Sequence, residues 1–549
     1  MKAWFWPLLY CLLALGALVL PLCVLVLRSL GLPGGFTLGH YMAYFATPGL
    51  SRALWNTALL GILSVLVVVP LAFLFAYGLE RTRLPLKAPL AALAAIPLLV
   101  PSLLPALALV YLFGRQGLLA PLLRGGDIYG LPGVLAADAI AAFPHALIVL
   151  GTALSAADGR LYEQAALLGA GPWRIFRTVT LPGARHGLAA AALVVFALTI
   201  TDIGAPKVVG GDFDVLAIVI YKQVLGQQHF ELGSVAAILL MLPSMAAIAL
   251  ERWAARRQAA LLSARSRRFV PPPGAWRDGV VGTVCFALAG ALLAMLATCQ
   301  LVALVRLWPY DLSLTSLHYE LDRYDGGGWA AVGDSVLLAA MTAMTGTVIA
   351  FCGAYAGERL KGAPFLRGLF LRLALLPAAV PGLALGLCYV LFFDDPANPL
   401  HVLYGTAALL VIANVTHYYT VAHLTALSAV KAVDRELEAA ARALGRSPFS
   451  VLTRVMVPVA APALGEIALY LFVNAMTTVS VVMFLYPPGF KLASVAVLNM
   501  DDAGDLAPAA AMGMMIFYVN LAVRLLGQWA IARLRAPRPA AVAVPEAVA

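Results

Sequence analysis

"EQAALLGAGPWRIFRTVTLP" runs from Glu163 to Pro182, and "AAARALGRSPFSVLTRVMVP" runs from Ala439 to Pro458. A shift of 276 residues lays Gly169 on Gly445, Pro172 on Pro448, Val179 on Val455 and Pro182 on Pro458, without a gap. The same shift lays Leu216-Ala217 on Leu492-Ala493. Two further matches need almost the same shift: "PLLVP" at Pro97–Pro101 with "PAAVP" at Pro377–Pro381, and "NTALL" at Asn56–Leu60 with "DSVLL" at Asp334–Leu338. Matches between apolar segments arise by chance. The shared offset is what gives these weight, and it makes the chain one unit, duplicated.

Around these two charged stretches the chain is mostly oil: 62% hydrophobic and 12% charged over 549 residues. A soluble domain carries about 25% charged residues, so this composition could not cover a water-facing surface. A membrane-crossing helix needs about 20 mostly apolar residues. Twelve such stretches are expected, near 5–29, 54–79, 89–113, 132–155, 187–206, 233–252, 278–306, 334–357, 369–393, 403–427, 463–485 and 507–531. The fold class is an all-α polytopic membrane protein, with about twelve transmembrane helices in two parallel six-helix repeats. Residues 1–253 form the first repeat and 278–533 the second. A polar, basic, proline-bearing linker at 254–277 joins them, and 534–549 reads as a disordered tail. The apolar run at Trp4–Leu27 is too long for a signal peptide and no small-residue cleavage site follows, so it is read as a retained span.

An even number of crossings separates the two loops, so both face one side. Most of the 37 Lys and Arg fall on that side, which the positive-inside rule makes cytoplasmic, together with both termini. The net charge of +10 is therefore topological and does not imply nucleic acid. Cys11, Cys23, Cys285, Cys299, Cys352 and Cys388 all fall in spans with no C-x-x-C spacing, so neither a disulfide framework nor a metal site is expected.

The loop chemistry is legible. Leu161–Leu168 forms helix, with Glu163 in its first turn, where a carboxylate suits the helix dipole. Gly169 suits the left-handed conformation that ends a helix, and Pro172 suits the first turn of the next. Trp173, Phe176 and Arg177 then share a face, and Leu181-Pro182 is expected to end that short helix. Gly445, Pro448, Phe449 and Leu452 repeat the scheme.

The pattern E-A-A-x-x-x-G followed by Leu-Pro resembles the EAA loop of membrane subunits of binding-protein-dependent ABC importers. Glu163, Ala165, Gly169, Leu181 and Pro182 carry the match; in the second copy Glu438 lies one residue before the Glu position, and Val457 replaces Leu. The resemblance implies a type I importer permease fold in a bacterial cytoplasmic membrane. Two copies of an ATPase subunit would dock at Glu163, Gly169, Trp173, Phe176 and Pro182, and at Glu438, Gly445, Phe449, Leu452 and Pro458. A periplasmic binding protein would deliver the small solute. The double-length form is similar to permeases for iron(III), thiamine and 2-aminoethylphosphonate. Tyr470–Asp505 and Tyr418–Lys431 most resemble the 2-aminoethylphosphonate type; an iron(III), thiamine or polyamine solute is the alternative.

No G-x-x-x-x-G-K-[ST] occurs, so no P-loop for ATP is expected in this chain; no catalytic residue or cofactor is expected either. Polar residues within spans face a protein interior or a water path. Asn414, Thr416, His417, Asn474, Thr477, Thr478, Thr201 and Asp202 are the candidate path residues. The competing reading is that they only bond neighbouring helices. Asp138 and Asp202 are expected near span ends, leaving no central carboxylate. That disfavours an ion-coupled transporter of parallel repeats. Lys207 and Lys491 in outer loops would attract an anion or meet acidic groups of a binding protein.

Overall fold

In the computed structural model of the chain, residues 4–32, 34–259, 269–360, 362–487 and 489–535 are described. Most of the expected tail and the central part of the expected linker lie outside them. The first repeat contributes α1 (Phe5–Ser29), α2 (Pro48–Arg81), α3 (Leu103–Phe113), α4 (Leu131–Ser155), α5 (Pro172–Thr201) and α6 (Phe230–Ala259). The second contributes α7 (Ala275–Leu304), α8 (Gly328–Arg359), α9 (Gly382–Phe393), α10 (Ala407–Ala432), α11 (Phe449–Thr477) and α12 (Leu506–Arg535). Between α7 and α8 a small antiparallel hairpin pairs β1 (Val305–Leu307) with β2 (Asp311–Leu314).

Among the described residues ten helices are long and apolar enough to cross a membrane, eleven if one bent pair counts as a span. Two of the expected stretches are not continuous helices, at equivalent places in the two halves. The third stretch breaks into Lys87–Ala94, a turn at Ile96–Leu99, and α3. The ninth breaks into Pro364–Ala379 and α9, bent by 110°. Pro97 and Pro101 account for the first break, Pro377 and Pro381 for the second. A proline lacks the N–H that a helix interior needs, and the residue before it is pushed out of the helical region. At about 1.5 Å per residue, the 11 residues of α3 reach only partway across a bilayer. The eleventh stretch also departs: its helix ends at Thr477, and "TVSVVMFLY" leaves as turns.

Within each half the packing repeats. The helix α2 lies against α4 and α5, and α8 lies against α10 and α11. The first helix of each repeat, however, also reaches across to the other half. The N-terminal α1 lies against Pro364–Leu373 and α9, and α7 lies against α2, α3 and α12. Tyr389 on α9 donates its hydroxyl to the Ala17 carbonyl (2.6 Å), and Tyr10 donates to Ile349 (3.0 Å). A Cβ on Gly78 would come within 2.6 Å of the Cys285 sulfur, so α2 and α7 approach as closely as a missing side chain allows. Two repeats in sequence are thus one interlocked body in space.

The described part of the linker is bound rather than free. Arg83 donates to the Pro271 carbonyl at 2.8 Å. Phe269 packs at a tilt on Tyr162, with ring centroids 4.3 Å apart, and the Arg81 guanidinium lies 4.9 Å from the Phe269 ring.

Candidate functional site: two elbows and the cavity between the halves

Each charged stretch folds as an elbow. Asp158 accepts the N–H of Arg160 and starts the helix Gly159–Leu167; its equivalent Asp434 accepts from Glu436 and starts Arg435–Ala443. Gly169 and Gly445 both sit at φ 74. Past each, the N–H of Ala170 bonds Ala165 and that of Arg446 bonds Ala441, the closing bond of a helix ended by a left-handed residue.

The second arm departs from expectation. Leu181-Pro182 does not end a short helix. Pro172–Ile175 passes through a π-turn at Phe176–Thr180 and runs straight on as α5. Pro448–Val451, Leu452–Met456 and α11 do the same. The wider π-turn shifts bonding to i→i+5, which makes room for the missing N–H and the ring of Pro182 and Pro458.

The outer bend of each elbow is apolar and exposed: Leu167, Leu168 and Trp173 in the first, Leu444 and Phe449 in the second. Gly169 and Pro182, like Gly445 and Pro458, are exposed, as is Glu163. Phe176 instead turns inward. It stacks under Trp173 and meets Tyr77 edge-on at 5.9 Å, so it braces the knob. Leu452, its equivalent, is half-buried.

Glu438 is a correction. It is buried and pairs with Arg359 at 3.2 Å. Its equivalent in the first elbow is Tyr162, one residue before Glu163. Tyr162 accepts a bond from Arg81 at 3.2 Å, and Arg81 and Arg359 are themselves equivalent. Each arginine also bonds the end of the helix before its elbow, Arg81 at Leu154 and Arg359 at Val430 and Val433. Both elbows hang from a buried arginine, one held by a carboxylate and one by aromatic rings.

Between the halves lies a cavity of about 1310 Å³. Both proline turns line it: Pro97, Val100 and Pro101 of one half face Pro377, Val380 and Pro381 of the other. Its mouth on the elbow side is flanked by the exposed ion pair of Arg535 with Glu466. Its far end is lined by Thr201, Asp202, Thr477 and Thr478. Six of the eight candidate path residues line it: those four, His417 and Asn474. Several back-bond within their own helix, Thr201 to Ala197, Asn474 to Tyr470 and Thr477 to Val473, which satisfies them in an apolar wall. Asn414 and Thr416 do not line it. Asn414 is fully buried, and Thr416 bonds the Tyr389 hydroxyl at 3.1 Å.

Sequence reasoning missed three features. The first is that carboxylates are central after all. Asp138 lies two turns into α4 and lines the cavity beside Asp202. The broken third and ninth stretches, with the short helices Gly204–Val209 and Ala493–Ala503 above them, bury what would otherwise be span ends. The second is Arg524 on α12, a cation in the cavity wall that forms no ion pair among the described residues. The third is an exchange of small residues. Ser102 stands beside Gly204, and Ser480 beside Gly382, so the serine comes from opposite partners in the two halves. A Cβ on either glycine would lie 2.3 Å from the facing hydroxyl.

On the face away from the elbows Lys207 meets Asp502 at 2.6 Å and lies 4.6 Å from the Tyr221 ring, while Tyr221 donates to Asp502 at 3.0 Å. This corrects the expectation that Lys207 waits for a partner from outside. Burial, and the neighbouring Asp502 second, holds Asp501 up at about 6. The contact joins Gly204–Val209 of one half to Ala493–Ala503 of the other, on the side where Thr201 and Asp202 line the cavity.

Residues 35–259 and 349–536 match the family described as "Binding-protein-dependent transport system inner membrane component". The chain is 25% identical to the ferric transport system permease protein FbpB of Actinobacillus pleuropneumoniae, over 89% of this chain and 72% of that one. It is 32% identical to the molybdenum transport system permease protein ModB of Escherichia coli K12, over 28% of this chain and 69% of that one. A crystal structure of a bacterial ABC transporter involved in the import of alginate aligns at 19% identity and a TM-score of 0.36, over 43% of this chain and 88% of that one.

Proposed function

This chain belongs to the family of binding-protein-dependent transport system inner membrane components, and from that premise we propose that its cavity is the translocation path and its two elbows the docking points for two copies of an ATPase subunit. It is an ABC importer permease with both halves in one polypeptide. The observation that carries the reading is equivalence. Two elbows of the same construction flank one cavity, which is walled by the same proline turns from both halves. ATP hydrolysis falls to the separate subunit, and a binding protein delivers solute at the face capped by Lys207 and Asp502. Both termini and the elbows face the cytoplasm. With Asp138 and Asp202 central, the absence of a carboxylate no longer argues against an ion-coupled transporter; family membership and the elbows do.

We propose 2-aminoethylphosphonate as the solute. Supporting it are the resemblance of Tyr470–Asp505 and Tyr418–Lys431 and a cavity wall bearing both signs of charge, Arg524 with Asp138 and Asp202. A ferric solute is the second reading, favoured by the ferric permease that aligns over 89% of this chain. The test reconstitutes the chain with its ATPase and binding protein in vesicles and follows uptake of labelled 2-aminoethylphosphonate beside ferric ion. Faster uptake of ferric ion overturns the phosphonate assignment and leaves the permease standing.

The cap gives a separate prediction. Lys207→Glu turns an attraction into a repulsion across the two halves. A half-exposed pair is worth up to about 1 kcal/mol, roughly fivefold in the balance between closed and open caps. ATPase turnover of the reconstituted complex without binding protein should rise by about that factor. Lys207→Glu with Asp502→Lys should return it to the native rate. Turnover unchanged in the single variant removes the cap from the cycle.

A further inference from the structure

We propose that Asp138 and Asp202 form the subsite of this cavity that takes a protonated amino group of the solute. The inference rests on the cavity being the solute path. Asp138 is 1% exposed, and neither of its carboxyl oxygens finds a hydrogen-bond donor. The polar group it reaches is the Asp202 carboxyl. Asp202 is held from its other side by the N–H of Ala205 at 2.8 Å, the N–H of Gly204 and the Ser102 hydroxyl. Two facing carboxyls repel each other when both ionise, and whatever charge the pair carries is negative. A charge in an apolar wall calls for a partner, and among the described residues no cationic side chain pairs with either.

An ammonium group has three donors and no acceptor, the complement of two acceptor-only carboxylates. The rings of His417, Tyr418 and Tyr470 also line the cavity, and aromatic faces attract cations. A metal ion fits less well. Hard cations take about six oxygen ligands, and among the described residues no group of three His, Cys, Asp or Glu could hold one. The subsite is one-sided: Asn414 and Thr478 stand at the equivalent places of the second half. That asymmetry supplies well-tolerated test variants, Asp138→Asn with Asp202→Thr.

The experiment uses the full chain in the assembled transporter, with its six cysteines replaced and Thr201→Cys introduced beside Asp202. Labelling by an aminoethyl methanethiosulfonate is compared with labelling by its sulfonatoethyl counterpart, each scaled to its rate with a free thiol. The ammonium reagent should react faster by on the order of tenfold or more, as a charge a few ångströms away in a partly apolar wall requires. The Asp138→Asn, Asp202→Thr background should bring the two rates together. Equal rates in the Asp138, Asp202 protein overturn the subsite and leave the path intact. A preference that survives in the Asn, Thr background assigns it elsewhere and overturns the proposal. Failure of both reagents to react overturns the path itself and the subsite with it.

Discussion

Glu438→Ala is expected to disconnect the second elbow while leaving the protein in the membrane. The Arg359–Glu438 pair is buried on both sides, with side chains 4% and 5% exposed. Removing one member of such a pair costs about 3–5 kcal/mol, because the other charge stays behind unpaired. The cost falls on the elbow: Arg359 ends α8 and bonds Val430 and Val433, just before the helix Arg435–Ala443. The hydrophobic packing of the membrane helices does not involve it. Binding of the ATPase subunit, read by pull-down, should fall by well over tenfold, with uptake falling alongside. Glu438→Leu with Arg359→Met should recover much of the loss, since an apolar replacement of a buried pair is often close to neutral. Full binding by the Glu438→Ala protein would show that the pair does not position the elbow.

Gly169→Val combined with Gly445→Val should abolish coupling by a different route. No atom lies within 4 Å of a Cβ built on either glycine, so there is space for a side chain. What there is not is a permitted backbone: both residues sit at φ 74, where a β-branched residue is an outlier. The strain is about 1–3 kcal/mol at each elbow, too little to unfold the protein and enough to swing the apolar bend proposed to dock the ATPase subunit. Expression should hold while pull-down and uptake both collapse. Gly169→Asn with Gly445→Asn should keep most activity, because Asn tolerates the left-handed region. Normal uptake by the double Val variant would sink the assignment of the elbows as docking points.

The elbows were legible because their signals are local. A glycine that must adopt positive φ, an Asp cap and a proline in a first turn each act over a few residues, and a repeat offset doubled every one of them. The inward turn of Phe176 and the burial of Glu438 were not legible. Both depend on what α2 and α8 present to them, Tyr77 in one case and Arg359 in the other. The breaks in the third and ninth stretches were hidden for a related reason. Apolar runs look alike whether they form one continuous helix or two pieces joined by a proline turn, and both of these turns line the cavity. The same breaks hid Asp138. Its place near the start of a span suggested an interface with water, and only the short helices packed above it make that place interior. The exchange of α1 and α7 left no trace in hydropathy, since a helix that packs on a neighbour reads like one that packs on its own half.

The paired Ser and Gly positions have a history written in them. One six-helix ancestor can have had only one arrangement at this crossing, and the two halves now carry opposite ones. Passing from Ser102 with Gly204 to Gly382 with Ser480 takes two changes, in one of two orders. Adding the second serine first would drive a Cβ to within 2.8 Å of the Leu103 backbone nitrogen as well as onto the hydroxyl, so selection would have met a clash in the middle of the pore. Losing the serine first leaves two glycines and merely forfeits a hydrogen bond. The double-glycine route is the one that meets no clash, and a relative caught at that stage would carry glycine on both sides of the same crossing.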